Sequence, residues 1–162
     1  MTAAPITIRD AQLADAGAIA SLAKQLGYDA GATAVADRLS RVLSRGDQQF
    51  VVADHDGRPV GWIHMLIAEY VEAEAFVMIG GLVVDHQYRK QGIGRRLLAR
   101  AEEWAAQNRC SVVRLWSSAQ RIEAHEFYRR AGYTHIKTQY SFAKPVGASG
   151  NEALRAFVPD IP

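Results

Sequence analysis

The stretch GLVVDHQYRKQGIGRRLLARAEEWA, residues 81–105, reads as a strand, a basic glycine loop and a helix in immediate succession. An apolar run ending at Val84 gives way to Arg89-Lys90-Gln91-Gly92-Ile93-Gly94. Leu97, Leu98, Ala101, Trp104 and Ala105 then recur at helical spacing. Arg95 and Arg96 stand in the first helical turn, where the partial positive charge of the helix end disfavours cations. An anion resolves that conflict. The first N–H groups of a helix have no intrahelical acceptor, and glycines let a phosphate approach the backbone without meeting Cβ. Arg89, Lys90, Arg95 and Arg96 can flank such a group. The loop matches neither GxxxxGKS/T nor GxGxxG, so it is not a triphosphate P-loop or a dinucleotide fingerprint.

Working outward, PITIRD at 5–10 alternates as a short strand. Leu13, Ala16, Ile19, Ala20, Ala23 and Leu26 predict a helix closed by Gly27, and Val35, Leu39, Val42 and Leu43 predict a second. Residues 48–68 read as two strands around Asp56-Gly57, a hairpin signal. The apolar strand AFVMIGGLVVD at 75–85 is interrupted by Gly80-Gly81, which predicts a bulge or a close approach of backbone or ligand. Beyond the opening stretch come a strand (SVVRLWSS, 111–118), a helix (RIEAHEFYRRAG, 121–132) and a last strand (YTHIKTQYSFAK, 133–144). The order β-α-α-β-β-β-α-β-α-β describes a single mixed α/β domain over residues 1–144, with 145–162 a C-terminal tail or extension.

Bulk properties narrow the function. The chain has 162 residues, enough to bury a core, and a net charge of +2 that does not imply nucleic acid. The single cysteine, Cys110, can form neither an internal disulfide nor a cysteine metal cluster, so a reducing, cytoplasmic setting is expected, with Cys110 a small buried hydrophobe. No apolar run reaches about 18 residues, and the N-terminus lacks a signal-peptide core, so no membrane association is expected. Trp62, Trp104 and Trp116 fall in predicted elements and read as core.

The opening stretch, followed by AHEFYRRAGY at 124–133, resembles the GCN5-related N-acetyltransferase family. That family's R/Q-x-x-G-x-G/A motif corresponds to Arg89 through Gly94, and its later alanine, F-Y pair and G-Y/F to Ala124, Phe127, Tyr128, Gly132 and Tyr133. The resemblance implies a mixed β-sheet flanked by helices, with a splayed cofactor cleft between the fourth and fifth strands. It implies acetyl-CoA as cosubstrate, no metal, and an amine acceptor attacking directly in a ternary complex. Leu82, Val83 and Val84 would offer backbone groups to the pantetheine arm. Arg89, Lys90, Gln91, Gly92, Ile93, Gly94 and Arg95 would surround the pyrophosphate.

Tyr128 is the expected general acid, since a phenol can protonate a departing thiolate. Where many members carry an asparagine against the pantetheine, this chain has Arg121; Ser117 or Ser118 could substitute, and Arg121 could reach a CoA phosphate. The carboxylate that some relatives place on the fourth strand is replaced by Met78. The general base is therefore sought among Glu69, Glu72, Glu74 and His64, with Glu72 the first candidate. The acidic segment IAEYVEAEAF at 67–76 would favour a cationic acceptor. The alternative reading is a non-catalytic acyl-CoA-binding regulatory module. Dimers are common among relatives, so a homodimer is an open expectation, and the sequence does not name the amine.

Overall fold

The computed structural model describes residues 5–157, so the first four residues and the last five of the expected tail lie outside it. The chain forms two compact units, residues 1–26 with 30–116, and residues 27–29 with 117–162.

The first unit holds β1 (Ile6–Asp10), α1 (Ala16–Lys24), α2 (Ala32–Leu43), β2 (Gln48–His55), β3 (Arg58–Tyr70), β4 (Ala73–Val84), α3 (Ile93–Gln107) and β5 (Val113–Leu115). The five strands make one sheet in sequence order. β1 to β4 are antiparallel neighbours, and β5 runs parallel to β4. A parallel pair needs a crossover, and α3 supplies it. The mixed, helix-flanked sheet is the one the sequence implied.

Strand alternation sorts the core into two layers. Phe50, Val52, Trp62 and Val83 share one face and cluster with Ala16, Ile19 and Leu22 of α1 and Leu39 of α2. The intervening Val51, Ala53, Ile63 and Met65 are fully buried on the other. There α3, which contacts β2, β3 and β4, brings Ile93, Leu97, Leu98, Ala101, Trp104 and Ala105 inside. Trp62 and Trp104 are core as expected, and Cys110 is buried. Trp116 is not core: it lies just beyond the short β5 and is 65% exposed.

Two features lock the sheet's outer side. Asp56 and Gly57 have φ of 54° and 80°, the left-handed pair that a tight hairpin turn requires, and Asp54 Oδ1 accepts the Gly57 N–H at 2.8 Å. Arg9 on β1 bridges two nearly buried carboxylates, donating to Asp15 at 2.8 and 2.9 Å and to Asp54 at 2.6 and 3.0 Å. The Arg9 hydrogen bonds hold the Asp15 carboxyl below its ordinary value against the opposing effect of burial. A cavity of about 550 Å³ opens beside this cluster, between Thr7, Gln12 and Arg58. It lies at the β1 side of the sheet, and of the two arginines that line it, Arg9 is already engaged by Asp15 and Asp54.

The second unit holds α4 (Ile122–Arg130) and α5 (Gly150–Arg155). Gly132 follows α4 with φ of +93°, and the Tyr128 carbonyl accepts the Tyr133 N–H at 2.9 Å, closing the helix as a glycine cap does. The expected tail therefore carries a short helix. The last strand expected at 133–144 is absent from the sheet: those residues carry no regular structure. Alternation shows only that a segment can enter a ladder; the ladder needs a partner.

Candidate functional site

β4 changes character at Gly80. Upstream, Val77, Met78 and Ile79 pair with Val113, Arg114 and Leu115 of β5, and the pairing stops there. On its other side β4 pairs Ile79 with Met65 and Gly81 with His64, so Gly80 is an extra residue opposed to none. That is the bulge the glycine pair predicted. It also reverses which backbone groups face which neighbour. Val77 donates its N–H to Val112 at 3.0 Å on the β5 side. Past the bulge, Asp85 donates to Val60 at 2.8 Å on the β3 side. Antiparallel alternation then turns the Leu82 and Val84 N–H and C=O groups away from β3, to the edge that β5 has left. Four strand residues beyond Gly80 thus present an uncovered hydrogen-bonding edge, the splay expected between the fourth and fifth strands.

Gly81 serves packing rather than a ligand. A Cβ there would lie 2.7 and 2.9 Å from two ring carbons of Trp62, so the indole needs a glycine across from it.

One short 3-10 turn, His86–Tyr88, joins the open edge to the loop. Arg89 is extended, Lys90 takes a left-handed φ of 63°, and Gly92 is left-handed at φ 78° where it caps α3. A left-handed lysine is a strained choice that tends to be kept where a loop has a task. The first intrahelical bond is Arg96 N–H to Gly92 O at 3.1 Å, so the N–H groups before it point out of the helix end. Gln91 and Gly92 are exposed, and a Cβ on Gly92 would find nothing within 4 Å. Ile93 is the opposite, 2% exposed, and pins the helix start into the core. The loop therefore offers an open, amide-lined end with basic side chains beside it.

Two arginines are less available than the sequence suggested. Arg96 donates to the Ile6 carbonyl at 2.9 Å and so ties α3 to β1. Arg89 donates through Nε to the Val84 carbonyl at 3.2 Å, which occupies one acceptor of the open edge.

In the second unit, Ser117, Arg121 and Tyr128 belong to one short segment. Ser117 Oγ is buried without a hydrogen-bond partner, the condition of a hydroxyl awaiting one. Ser118 is exposed, and its carbonyl accepts both Arg121 N–H at 3.0 Å and His125 Nε2 at 2.9 Å. The Tyr128 ring packs edge-on to Tyr133 and beside Phe127. Burial raises the phenol above its ordinary value of 10, partly offset by the Arg121 charge, so it is protonated at neutral pH.

The proton-accepting candidates separate clearly. Glu72 sits in the exposed turn between β3 and β4. Six strand residues, about 20 Å at 3.3 Å each, part it from Met78. Met78 itself is buried and carries no proton-accepting group. His64 lies at the bulge. A Cβ on Gly80 would approach its Nδ1 to 3.1 Å, so the missing side chain leaves space over that nitrogen. Its Nε2 donates to Gln48 Oε1 at 2.9 Å, its ring stacks on Phe50, and burial lowers its pKa. The ring is therefore neutral at pH 7, with its Nδ1 lone pair toward the bulge. Gln48 was not a sequence candidate; its role depends on the diagonal register between β2 and β3, which no local pattern reveals.

An open strand edge and an amide-lined helix end could together take a ligand that carries amides along one part and a phosphate at another. The Acetyltransferase (GNAT) family model matches residues 17–133, and the chain belongs to that family, an N-acetyltransferase of the acyltransferase class. The chain is 29% identical over 154 residues to the aminoglycoside N(6')-acetyltransferase type 1 of Stenotrophomonas maltophilia, covering 92% of this chain and 99% of that one. It is 32% identical over 143 residues to an uncharacterised N-acetyltransferase of Chlorobaculum tepidum, covering 86% and 83%. It spans only 42% of a Methanocaldococcus jannaschii relative, an uncharacterised N-acetyltransferase 30% identical over 94 residues. Among solved structures, the aminoglycoside 6'-N-acetyltransferase AAC(6')-Ig of Acinetobacter haemolyticus superposes with a TM-score of 0.76 at 20% identity, covering 87% of this chain and 99% of that one. AAC(6')-Iy in complex with a bisubstrate analogue of CoA superposes with a TM-score of 0.78 at 18% identity, covering 88% and 100%. At these identities the structural matches establish the fold. No described helix is long and apolar enough to cross a membrane.

Proposed function

We propose that this protein transfers the acetyl group of acetyl-CoA to a primary amine by direct attack in a ternary complex. The observation that carries the reading is the β4 edge freed by the Gly80 bulge and joined by one turn, His86–Tyr88, to the Arg89–Arg95 loop. Acetyl-CoA supplies an acetyl thioester, whose carbonyl carbon accepts the amine nitrogen as the carbon–sulfur bond breaks. The chain's own residues hold and move the protons. The Leu82 and Val84 backbone groups match the amides of a pantetheine arm as an added strand would, with Val83 between them. Gln91, Gly92, Ile93, Gly94 and Arg95 suit a pyrophosphate, with Arg89 and Lys90 as flanking charges. Ser117 offers its orphaned hydroxyl to the pantetheine, and Arg121 its charge to a phosphate.

Tyr128, kept protonated by burial, donates its phenolic proton to the thiolate sulfur. His64 accepts the amine proton at Nδ1, directly or through a water; a lysine-like amine, with a pKa of about 10, must lose one before it attacks. Glu72, with Glu69 and Glu74, acts at longer range as an exposed acidic border that draws a cationic acceptor. The relative named for aminoglycosides makes a polyamine of that kind the first acceptor to try. Tyr128→Phe tests the reading: turnover is expected to fall at least tenfold while acetyl-CoA affinity changes less than threefold. Equal turnover in that variant removes Tyr128 as the acid.

A further inference from the structure

His64 has one side held and one side open. On the held side, Gln48 Oε1 accepts its Nε2–H at 2.9 Å, and the Phe50 ring lies 5.5 Å away, centroid to centroid, with the planes 25° apart. Gln48 is the first residue of β2, and a backbone bond fixes it there: Ile67 donates to the neighbouring Asp47 carbonyl at 2.8 Å. On the open side stands Gly80. Ile79 before it is 5% exposed, yet Gly80 itself is exposed, so solvent reaches the sheet at the bulge. A Cβ at Gly80 would stand 3.1 Å from His64 Nδ1 and 3.5 Å from Leu66 Cδ2. Any side chain at that position would therefore cover the Nδ1 lone pair.

We infer that Gln48 is a positioning residue for proton transfer: by taking the Nε2–H, it keeps the His64 Nδ1 lone pair facing the opening that Gly80 leaves. The inference rests on the proposed reaction, in which that lone pair receives the amine proton. In a neutral imidazole one nitrogen donates and the other accepts, and the partner of the first decides the role of the second. An amide oxygen only accepts, so Gln48 Oε1 commits Nε2 to carrying the hydrogen. With the amide turned over, its NH2 would donate to Nε2. Nδ1 would then carry the hydrogen, and the opening would face a group that takes no proton. In the step itself an N–H bond of the ammonium breaks, and its electron pair stays on the nitrogen for the attack. The proton bonds to Nδ1, giving an imidazolium that returns it to solvent through the same opening. The groups facing the ring are uncharged: Gln48 and Phe50 from β2, Leu66 from β3, and Gly80 and Gly81 from β4. Ala16, Ile19 and Leu22 are what α1 buries on this face.

NMR of the imidazole nitrogens in the full, unmodified chain reads the tautomer without any substrate. Nε2 is expected to carry the hydrogen and Nδ1 to be unprotonated; the reverse overturns the inference. Kinetics with acetyl-CoA and an aminoglycoside then separate catalysis from structure. Gln48→Leu is expected to mix the tautomers and lower kcat at least about tenfold, with the KM for acetyl-CoA changed less than about threefold. Gln48→Glu keeps an oxygen acceptor, so tautomer and turnover should return. Its charge favours the imidazolium, so the acid limb of kcat should move up by about one pH unit or more. A Gln48→Leu enzyme with wild-type kcat overturns the inference, as does a slow one that Gln48→Glu neither rescues nor shifts. The reaction and the inference fail in different ways. Equal kcat in His64→Leu, or a wild-type protein that binds acetyl-CoA and acetylates no amine, removes the reaction and this inference with it. A reversed tautomer, with His64→Leu still slow, removes the role of Gln48 alone.

Discussion

Gly81→Ala probes the packing that holds the β4 edge in place. The new methyl carbon would stand 2.7 and 2.9 Å from two ring carbons of Trp62, where carbon contacts prefer about 3.5–4.0 Å. The indole must retreat by roughly 0.7 Å or more. It has little room, being only 8% exposed and packed 5.1 Å from the Phe50 ring, centroid to centroid. Overpacking of this kind costs about 1–3 kcal/mol. For a chain of this length each kcal/mol moves the melting temperature by about 2–4 °C, so a middle value of about 2 kcal/mol predicts a fall of roughly 4–8 °C. Circular dichroism melts read it directly, with Gly46→Ala as control because its Cβ meets nothing within 4 Å. Trp62→Phe removes the two clashing carbons, so the double variant should recover about 1 kcal/mol relative to the sum of the singles. A Gly81→Ala melt within a degree of wild type, or strict additivity, refutes the packing argument.

Gly92→Val separates strain from ligand approach. At φ 78° a valine costs about 1–2 kcal/mol of backbone strain, yet its side chain meets nothing in the protein. Acetyl-CoA affinity, measured by calorimetry, should nevertheless fall at least tenfold because the branched chain fills the space over the loop; an unchanged affinity removes the loop from the phosphate site. His64 predicts a pH effect on stability. Its folded-state pKa lies below the ordinary 6.5, so its contribution is complete above that value and declines as pH falls through 6.5, where the unfolded chain protonates first. The decline is at most about 1.4 kcal/mol per pH unit. Urea unfolding at pH 7 and pH 5.5 should show it in wild type and not in His64→Leu; the same slope in both would contradict the buried, neutral imidazole.

The parts of the fold that were legible in the sequence are those set by local chemistry. Asp56-Gly57 announced its turn because few residues accept two consecutive positive φ angles. Gly80-Gly81 announced the bulge, and the stripe from Leu97 to Ala105 announced α3. The loop from Arg89 to Gly94 could be read because an open helix start behind a left-handed glycine, here Gly92, has a sequence signature. Distance along a strand was not legible: Glu72 stands near Met78 in the chain, yet the extended first half of β4 carries the two about 20 Å apart. Nor was competition for a side chain, since Arg96 binds the Ile6 carbonyl 90 residues away and Arg89 takes the Val84 carbonyl. The segment 133–144 shows the remaining limit. Its alternation specifies a strand, but the partner that would make it one is not encoded locally, and Trp116, expected in the core, stays exposed.

The most direct test of the account is acetyl-CoA-dependent thiol release across a panel of amines. The panel comprises aminoglycosides, polyamines, amino acids and lysine peptides, corrected for the thiol of Cys110. Saturable release with one class of amine is the predicted result, with the acetyl group recovered on that amine's nitrogen. Acetyl-CoA bound in a parallel titration with no release on any amine would contradict acetyl transfer and leave a binding module. No binding at all would contradict the β4 edge and the Arg89–Arg95 loop as its site.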